Sequence, residues 1–83
     1  MYRVVTDERT QQQLDALSTE ALHAWRELRA TLEITPWNGR PLNPARPDGV
    51  LTWSFGPHGE GLAYYLVLDF DDRVEVLDVQ WLG

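Results

Sequence analysis

Three runs of β-type residues crowd into the segment from Val50 to Gly83: Val50-Leu-Thr-Trp-Ser-Phe55, Leu62-Ala-Tyr-Tyr-Leu-Val-Leu-Asp-Phe70 and Arg73-Val-Glu-Val-Leu-Asp-Val-Gln-Trp81. Between them, Gly56-Pro-His-Gly-Glu-Gly61 and Asp71-Asp72 supply the turn residues of two hairpins. This block constrains the fold more than any other feature, because strands in such close succession pair with one another as a sheet. In the first run Leu51, Trp53 and Phe55 alternate with Thr52 and Ser54, the mark of a half-buried strand. Leu62 to Leu68 is apolar on both parities, as a central strand should be. The third run changes face midway: Val74 and Val76 share one parity, and Leu77, Val79 and Trp81 the other. That switch predicts a bulge or a strand covered on both sides.

Ahead of the block, Tyr2 to Thr6 reads as a short strand, and Asp7 offers a side-chain oxygen to the free amides of a helix starting near Glu8. That helix has only Leu14, Ala16 and Leu17 to bury after a polar Gln11-Gln-Gln13, so it docks by one narrow stripe. Ser18 ends it and caps the next. From Thr19, the positions Ala21, Trp25, Leu28 and Leu32 follow i, i+4, i+7, i+11, with Leu22 beside them, which predicts an amphipathic helix. It finishes near Ile34, because Pro36 disfavours helical geometry at Thr35 and removes a backbone donor. Residues 36–49, with Asn38-Gly39, Pro41, Pro44, Pro47 and Asp48-Gly49, make neither helix nor central strand and read as a long loop, either ordered or mobile. Loops of that length in small domains are functional or disordered, and this one carries Arg40 and Arg46.

The order β-α-α-loop-β-β-β over residues 1–83 predicts one α+β domain of two layers, a helical hairpin on a mainly antiparallel four-stranded sheet. A chain of 83 residues leaves no room for a second core. With no cysteine, disulfides and thiolate metal sites are excluded, and stability rests on packing, helped by a partner or a second copy. No apolar run reaches the length of a membrane span, and the start of the chain is strand-like, so the reading is a soluble cytoplasmic protein with no membrane association.

Every cation is arginine, and the formal net charge is −6. Residues 1–50 hold six arginines against seven acids, whereas from residue 51 Arg73 faces Glu60, Asp69, Asp71, Asp72, Glu75 and Asp78. Such a balance repels phosphate backbones at long range and argues against general nucleic-acid affinity. His58, in a Gly-rich turn beside Glu60, reads first as an exposed turn residue and second as a general acid. His23 lies among polar helix neighbours, Asp71-Asp72 is a turn signal before it is a carboxylate pair, and no His, Asp or Glu spacing matches a metal cage. Among the aromatics, Trp25, Trp53 and Tyr64 are expected in the core. Trp37, Tyr65 and Trp81 are expected on the open face or edge, where with Gln80 they could anchor a partner or pack as plain edge residues.

Leu14-Asp-Ala-Leu17, the second helix running into Pro36-Trp-Asn-Gly-Arg-Pro-Leu42, Gly61-Leu-Ala-Tyr-Tyr-Leu-Val-Leu and Asp71-Asp-Arg-Val-Glu-Val-Leu-Asp-Val79 together resemble the RelE/ParE superfamily of toxins over nearly the whole chain. The resemblance implies a type II toxin–antitoxin module with an antitoxin as partner. RelE-like members cut mRNA on the ribosome without a metal or cofactor, and ParE-like members poison DNA gyrase. In the RNase case cations hold the phosphate while a base and an acid assist attack by the 2′-hydroxyl, for which the resemblance leaves Arg40, Arg46, His58 and Arg73. The family commonly carries Tyr-Arg-Val in its middle strand and His-Arg after the last one. Here those places read Tyr64-Tyr65-Leu66-Val67 and Val79-Gln80-Trp81. Two further readings therefore stand beside the RNase: a noncatalytic interaction module on the same fold, and a gyrase poison.

Overall fold

The computed structural model describes residues 1–83. Strand β1 (Arg3–Thr6) leads into helices α1 (Glu8–Asp15) and α2 (Thr19–Ile34), followed by β2 (Arg40–Pro41), β3 (Leu51–Phe55), β4 (Gly61–Leu68) and β5 (Arg73–Trp81). Single 3-10 turns at Pro36–Asn38 and Asp69–Asp71 complete the chain. The expected caps are in place: Asp7 accepts from the Thr10 amide at 2.7 Å and Ser18 from the Ala21 amide at 3.2 Å, each taking up an amide with no partner inside its helix.

The sheet order is β1-β5-β4-β3-β2. β3, β4 and β5 pair antiparallel as their short connections require, while β1 joins β5 in parallel, Val4 beside Val74 and Thr6 beside Val76. Four strands were expected, and a fifth is added. The residues between Pro36 and Gly49 are ordered: Arg40 and Pro41 pair with Thr52 and Leu51, the Leu42 amide donates to Val50 O at 2.9 Å, and consecutive turns over residues 43–49 close the connection. Proline is compatible with this strand because β2 lies at the edge of the sheet.

The parity switch in β5 is a bulge. Tyr64 faces Asp78 but Tyr65 faces Val76, which leaves Leu77 without an opposite residue. Val74 and Val76 before it and Val79 after it thereby all face the helices and are buried. The freed Leu77 carbonyl accepts from Arg9 Nη2 at 2.8 Å and Thr10 Oγ1 at 3.2 Å. Gln13 Oε1 accepts from the Val79 amide at 3.2 Å, and Gln13 Nε2 donates to Asp78 Oδ1 at 2.7 Å. α1 thus takes over as the neighbour of β5 where β1 ends, covering an edge that would otherwise be open to strand pairing.

On the helix side, the α2 stripe Ala21, Trp25, Leu28 and Leu32 is buried as its spacing predicts. It packs with Leu14, Val4, Leu51, Phe55, Ala63, Tyr65, Val67 and the three β5 valines, all except Ala21 forming one cluster. Trp25 meets Phe55 edge-on with ring centroids 5.9 Å apart, and Phe55 in turn lies 5.8 Å from Trp81. The opposite face of the sheet carries no layer.

Candidate functional site

The uncovered face is lined by the alternate residues of each strand. β4 presents Leu62, Tyr64, Leu66 and Leu68, each half-buried, and β3 presents Thr52 and Ser54. β5 contributes Arg73, Glu75, Asp78 and Gln80. An apolar row therefore runs down the middle of the open face, with carboxylates beside it on β5. Arg73 lies within 3.1 Å of Asp71 and 3.3 Å of Glu75 through its two terminal nitrogens. Both pairs are partly solvated and add little stability. What they change is the field: the one β5 cation is already matched by two carboxylates, so it presents little net positive charge to a phosphate.

The four polar residues that the resemblance leaves for chemistry are not gathered into one site. His58 belongs to the β3–β4 turn and Arg73 to the opposite end of β4, where it pairs with Leu68, a separation of about 23 Å along that strand at about 3.3 Å per residue. Arg40 is in edge strand β2, opposite Thr52, and Arg46 lies in the exposed β2–β3 connection. Glu60, the acid next to His58, accepts from the His58 backbone amide at 2.7 Å and so closes the turn. Hydrogen bonds from its own amide and that of His58 lower its pKa. Arg40 borders a shallow depression of about 380 Å³ with Asn38, Thr52, Ser54 and Leu62. No group of three or more His, Asp or Glu side chains converges as a metal cage, and no helix is long and apolar enough to cross a membrane.

The aromatic residues require two corrections. Tyr65, expected on the open face, is fully buried among the core residues, and Tyr64, expected in the core, takes the open face. β4 is apolar on both parities, so alternation alone sets no phase; pairing across the bulge sets it. Trp53 and Trp81 pack partly buried against the core, while Gln80 is exposed, its Nε2 3.4 Å from Asp78 Oδ2. Trp37 remains 41% exposed, with Nε1 donating to Asp69 Oδ1 at 3.1 Å. The same oxygen accepts from Tyr2 Oη at 2.5 Å, and this bond, more than desolvation, raises the Tyr2 pKa. Asp69 thereby joins the residue preceding β1, the turn after α2 and the β4–β5 turn, a role with no signal in the sequence because its partners are 67 and 32 residues away.

Tyr65 fastens the start of the long connection to the sheet: Oη donates to Pro36 O at 2.7 Å. Burial raises its pKa to about 12, partly offset by the Gly39 backbone bond. A tyrosine with a raised folded-state pKa contributes stability that is fully present below the unfolded value of 10.0 and is lost as pH rises through about 12. Stability is therefore expected to fall over that window in urea titrations of the wild type. The fall should be shallower in Tyr65→Phe; equal slopes in the two proteins would contradict the assignment.

No family model matches the sequence, and no curated protein does. Solved structures do match its three-dimensional arrangement. The isolated E. coli RelE toxin aligns with all of this chain and 86% of its own at TM-score 0.81 and 16% identity. The fold is that of RelE. A chain of the intact E. coli RelBE toxin–antitoxin complex gives TM-score 0.80 at 15% identity over 100% of this chain and 99% of its own. The archaeal RelE–RelB complex from Pyrococcus horikoshii gives 0.70 at 18%, covering 99% and 96%. The expected α+β two-layer RelE-like fold is thus the observed one, with a fifth strand added to the sheet.

Proposed function

We propose that the chain is the RelE-fold member of a cytoplasmic type II toxin–antitoxin module, and that an antitoxin covers the open face of its sheet. We further propose that its basic site is degenerate, leaving it unable to cleave mRNA on the ribosome. The observation that carries this reading is the make-up of that face: Leu62, Tyr64, Leu66 and Leu68 in a row beside Glu75 and Asp78, with Arg73 already paired. Half-buried apolar side chains exchange water for a partner at a gain of roughly 25 cal/mol per Å². A pentavalent phosphate needs clustered, unmatched cations instead. Structures of RelE with RelB, at 15% and 18% identity to this chain, support the choice of an antitoxin as partner.

One observation favours a second reading. Arg40 has no carboxylate within salt-bridge distance and borders the polar depression on the open face, as a phosphate-holding cation of an mRNA-cleaving toxin would. Induced expression with mapping of ribosome-bound mRNA separates the two. The first reading expects continued growth and intact messages; growth arrest with ribosome-dependent cuts that disappear in Arg40→Ala would establish the second. Growth arrest without cuts but with inhibited supercoiling by purified gyrase would instead support a ParE-like action. For the interaction itself, Tyr64→Glu and Leu66→Glu should weaken capture of a RelB-type antitoxin by about tenfold or more while leaving the circular dichroism spectrum intact. Undiminished capture by both variants would remove the open face as the docking surface.

A further inference from the structure

Six large apolar side chains stay exposed; Met1, Leu42 and Leu82 stand singly before β1, after β2 and after β5, and the other three are gathered. Ile34 (70% exposed), Trp37 (41%) and Phe70 (87%) sit on three segments that meet at one end of the sheet: the last turn of α2, the 3-10 turn after it and the β4–β5 turn. Hydrogen bonds hold those segments together. The Tyr2 amide donates to Glu33 O at 2.8 Å, and Tyr2 Oη and Trp37 Nε1 both reach Asp69 Oδ1, the carboxylate next to Phe70. Exposed apolar residues gathered in one place mark a contact surface more often than a solvated one.

Charge selects the occupant. Glu33, Asp69, Asp71 and Asp72 lie on these same segments. The arginines there are Arg3, whose guanidinium makes no ion pair, and Arg73, whose guanidinium is committed to Asp71 and Glu75, so the four acids outnumber them. A second copy docked across a two-fold axis would set these carboxylates against themselves, and anionic lipid or nucleic acid would meet the same repulsion. We propose that this end of the sheet docks a cationic amphipathic segment of a partner protein. Its apolar side chains lie on Ile34, Trp37 and Phe70, and its Lys or Arg heads stand over Glu33, Asp71 and Asp72. The inference does not rest on the toxin–antitoxin reading, since Ile34, Trp37 and Phe70 all lie outside the row from Leu62 to Leu68 on which that reading depends.

The test uses the full chain and two labelled synthetic helices, one with leucines on one face and lysines on the other, and its twin with glutamates for the lysines. Fluorescence anisotropy should show binding of the lysine peptide, weakening with added salt as exposed charge pairs do, and none of the glutamate peptide. The double variant Ile34→Ser/Phe70→Ser changes only exposed positions and should weaken that binding at least about tenfold. Asp71→Asn/Asp72→Asn should weaken it less and reduce its salt dependence. Tyr64→Glu, which strikes the open face, should leave it unchanged, so that this proposal and the antitoxin reading fail separately. Equal binding of both peptides, no binding of the lysine peptide, or binding indifferent to Ile34→Ser/Phe70→Ser would overturn the proposal. So would a wild type that sediments as a dimer alongside a monomeric double variant, which would assign the patch to a second copy.

Discussion

Trp25→Ala is expected to lower the unfolding free energy by about 3–5 kcal/mol, the usual range for removing a large aromatic side chain from a packed core. Trp25 is 3% exposed, lies at the centre of the buried α2 stripe and meets Phe55 edge-on. Phe55 also carries Trp81, so the cavity would loosen both the helix–sheet contact and the last residues of β5. A domain of this length has a total stability of roughly 4–12 kcal/mol, so the loss removes a large share of it. In a thermal melt the midpoint should fall by about 12–40 °C, at about 4–8 °C per kcal/mol for domains of this size. Trp25→Phe keeps an aromatic edge toward Phe55 and should lose less. A melt of Trp25→Ala within a few degrees of wild type would show that α2 is not the element holding the sheet.

Gly39→Ala is the second large effect, expected to cost about 2–4 kcal/mol from overpacking plus a broken buried hydrogen bond. An added methyl at Gly39 would fall within van der Waals exclusion of Tyr65 Oη and of the Thr52 carbonyl oxygen, at 2.9 Å from the latter. Neither neighbour can yield cheaply: Tyr65 is fully buried, and Thr52 is held between β2 and β4. Relief would require the turn at residues 36–39 to lift away, which breaks the Tyr65–Pro36 bond and strands a buried carbonyl. Tyr65→Phe tests the same contact from the other side. It should cost about 1–3 kcal/mol by leaving the Pro36 carbonyl unpaired, and it should partly relieve Gly39→Ala in a double-mutant cycle because the clashing oxygen is gone. Additive costs in that cycle would mean that the two positions do not act through this contact. The consequence for function is local, since β2 and Arg40 follow directly from this turn.

The two stability effects explain why some elements could be read from the chain and others could not. The α2 stripe was readable because a helix docked by one face leaves a period of 3.6 in its sequence, and the four residues that period picks out are buried, joined by Ala24. The β5 bulge was readable too, because one extra residue inverts the alternation and leaves a visible change of parity at Leu77. β2 was not, since two residues flanked by Gly39 and Leu42 are too short to show a period and are fixed by pairing with β3. For the open face, the sequence supplied the acids and the missing cations but misplaced the adjacent tyrosines.

Taken alone, the amino-acid sequence determined the element order, the faces of α2 and β5, the two helix caps and the excess of acid in the C-terminal strands. Only the tertiary structure decided which tyrosine faces the core, that Arg73 is matched by Asp71 and Glu75, that His58 and Arg73 stand at opposite ends of β4, and that Ile34, Trp37 and Phe70 share one end of the sheet around Asp69. The reason is physical. Periodicity records how a segment meets a single neighbouring layer, whereas strand register and contacts between segments tens of residues apart depend on pairing energies that no local pattern encodes.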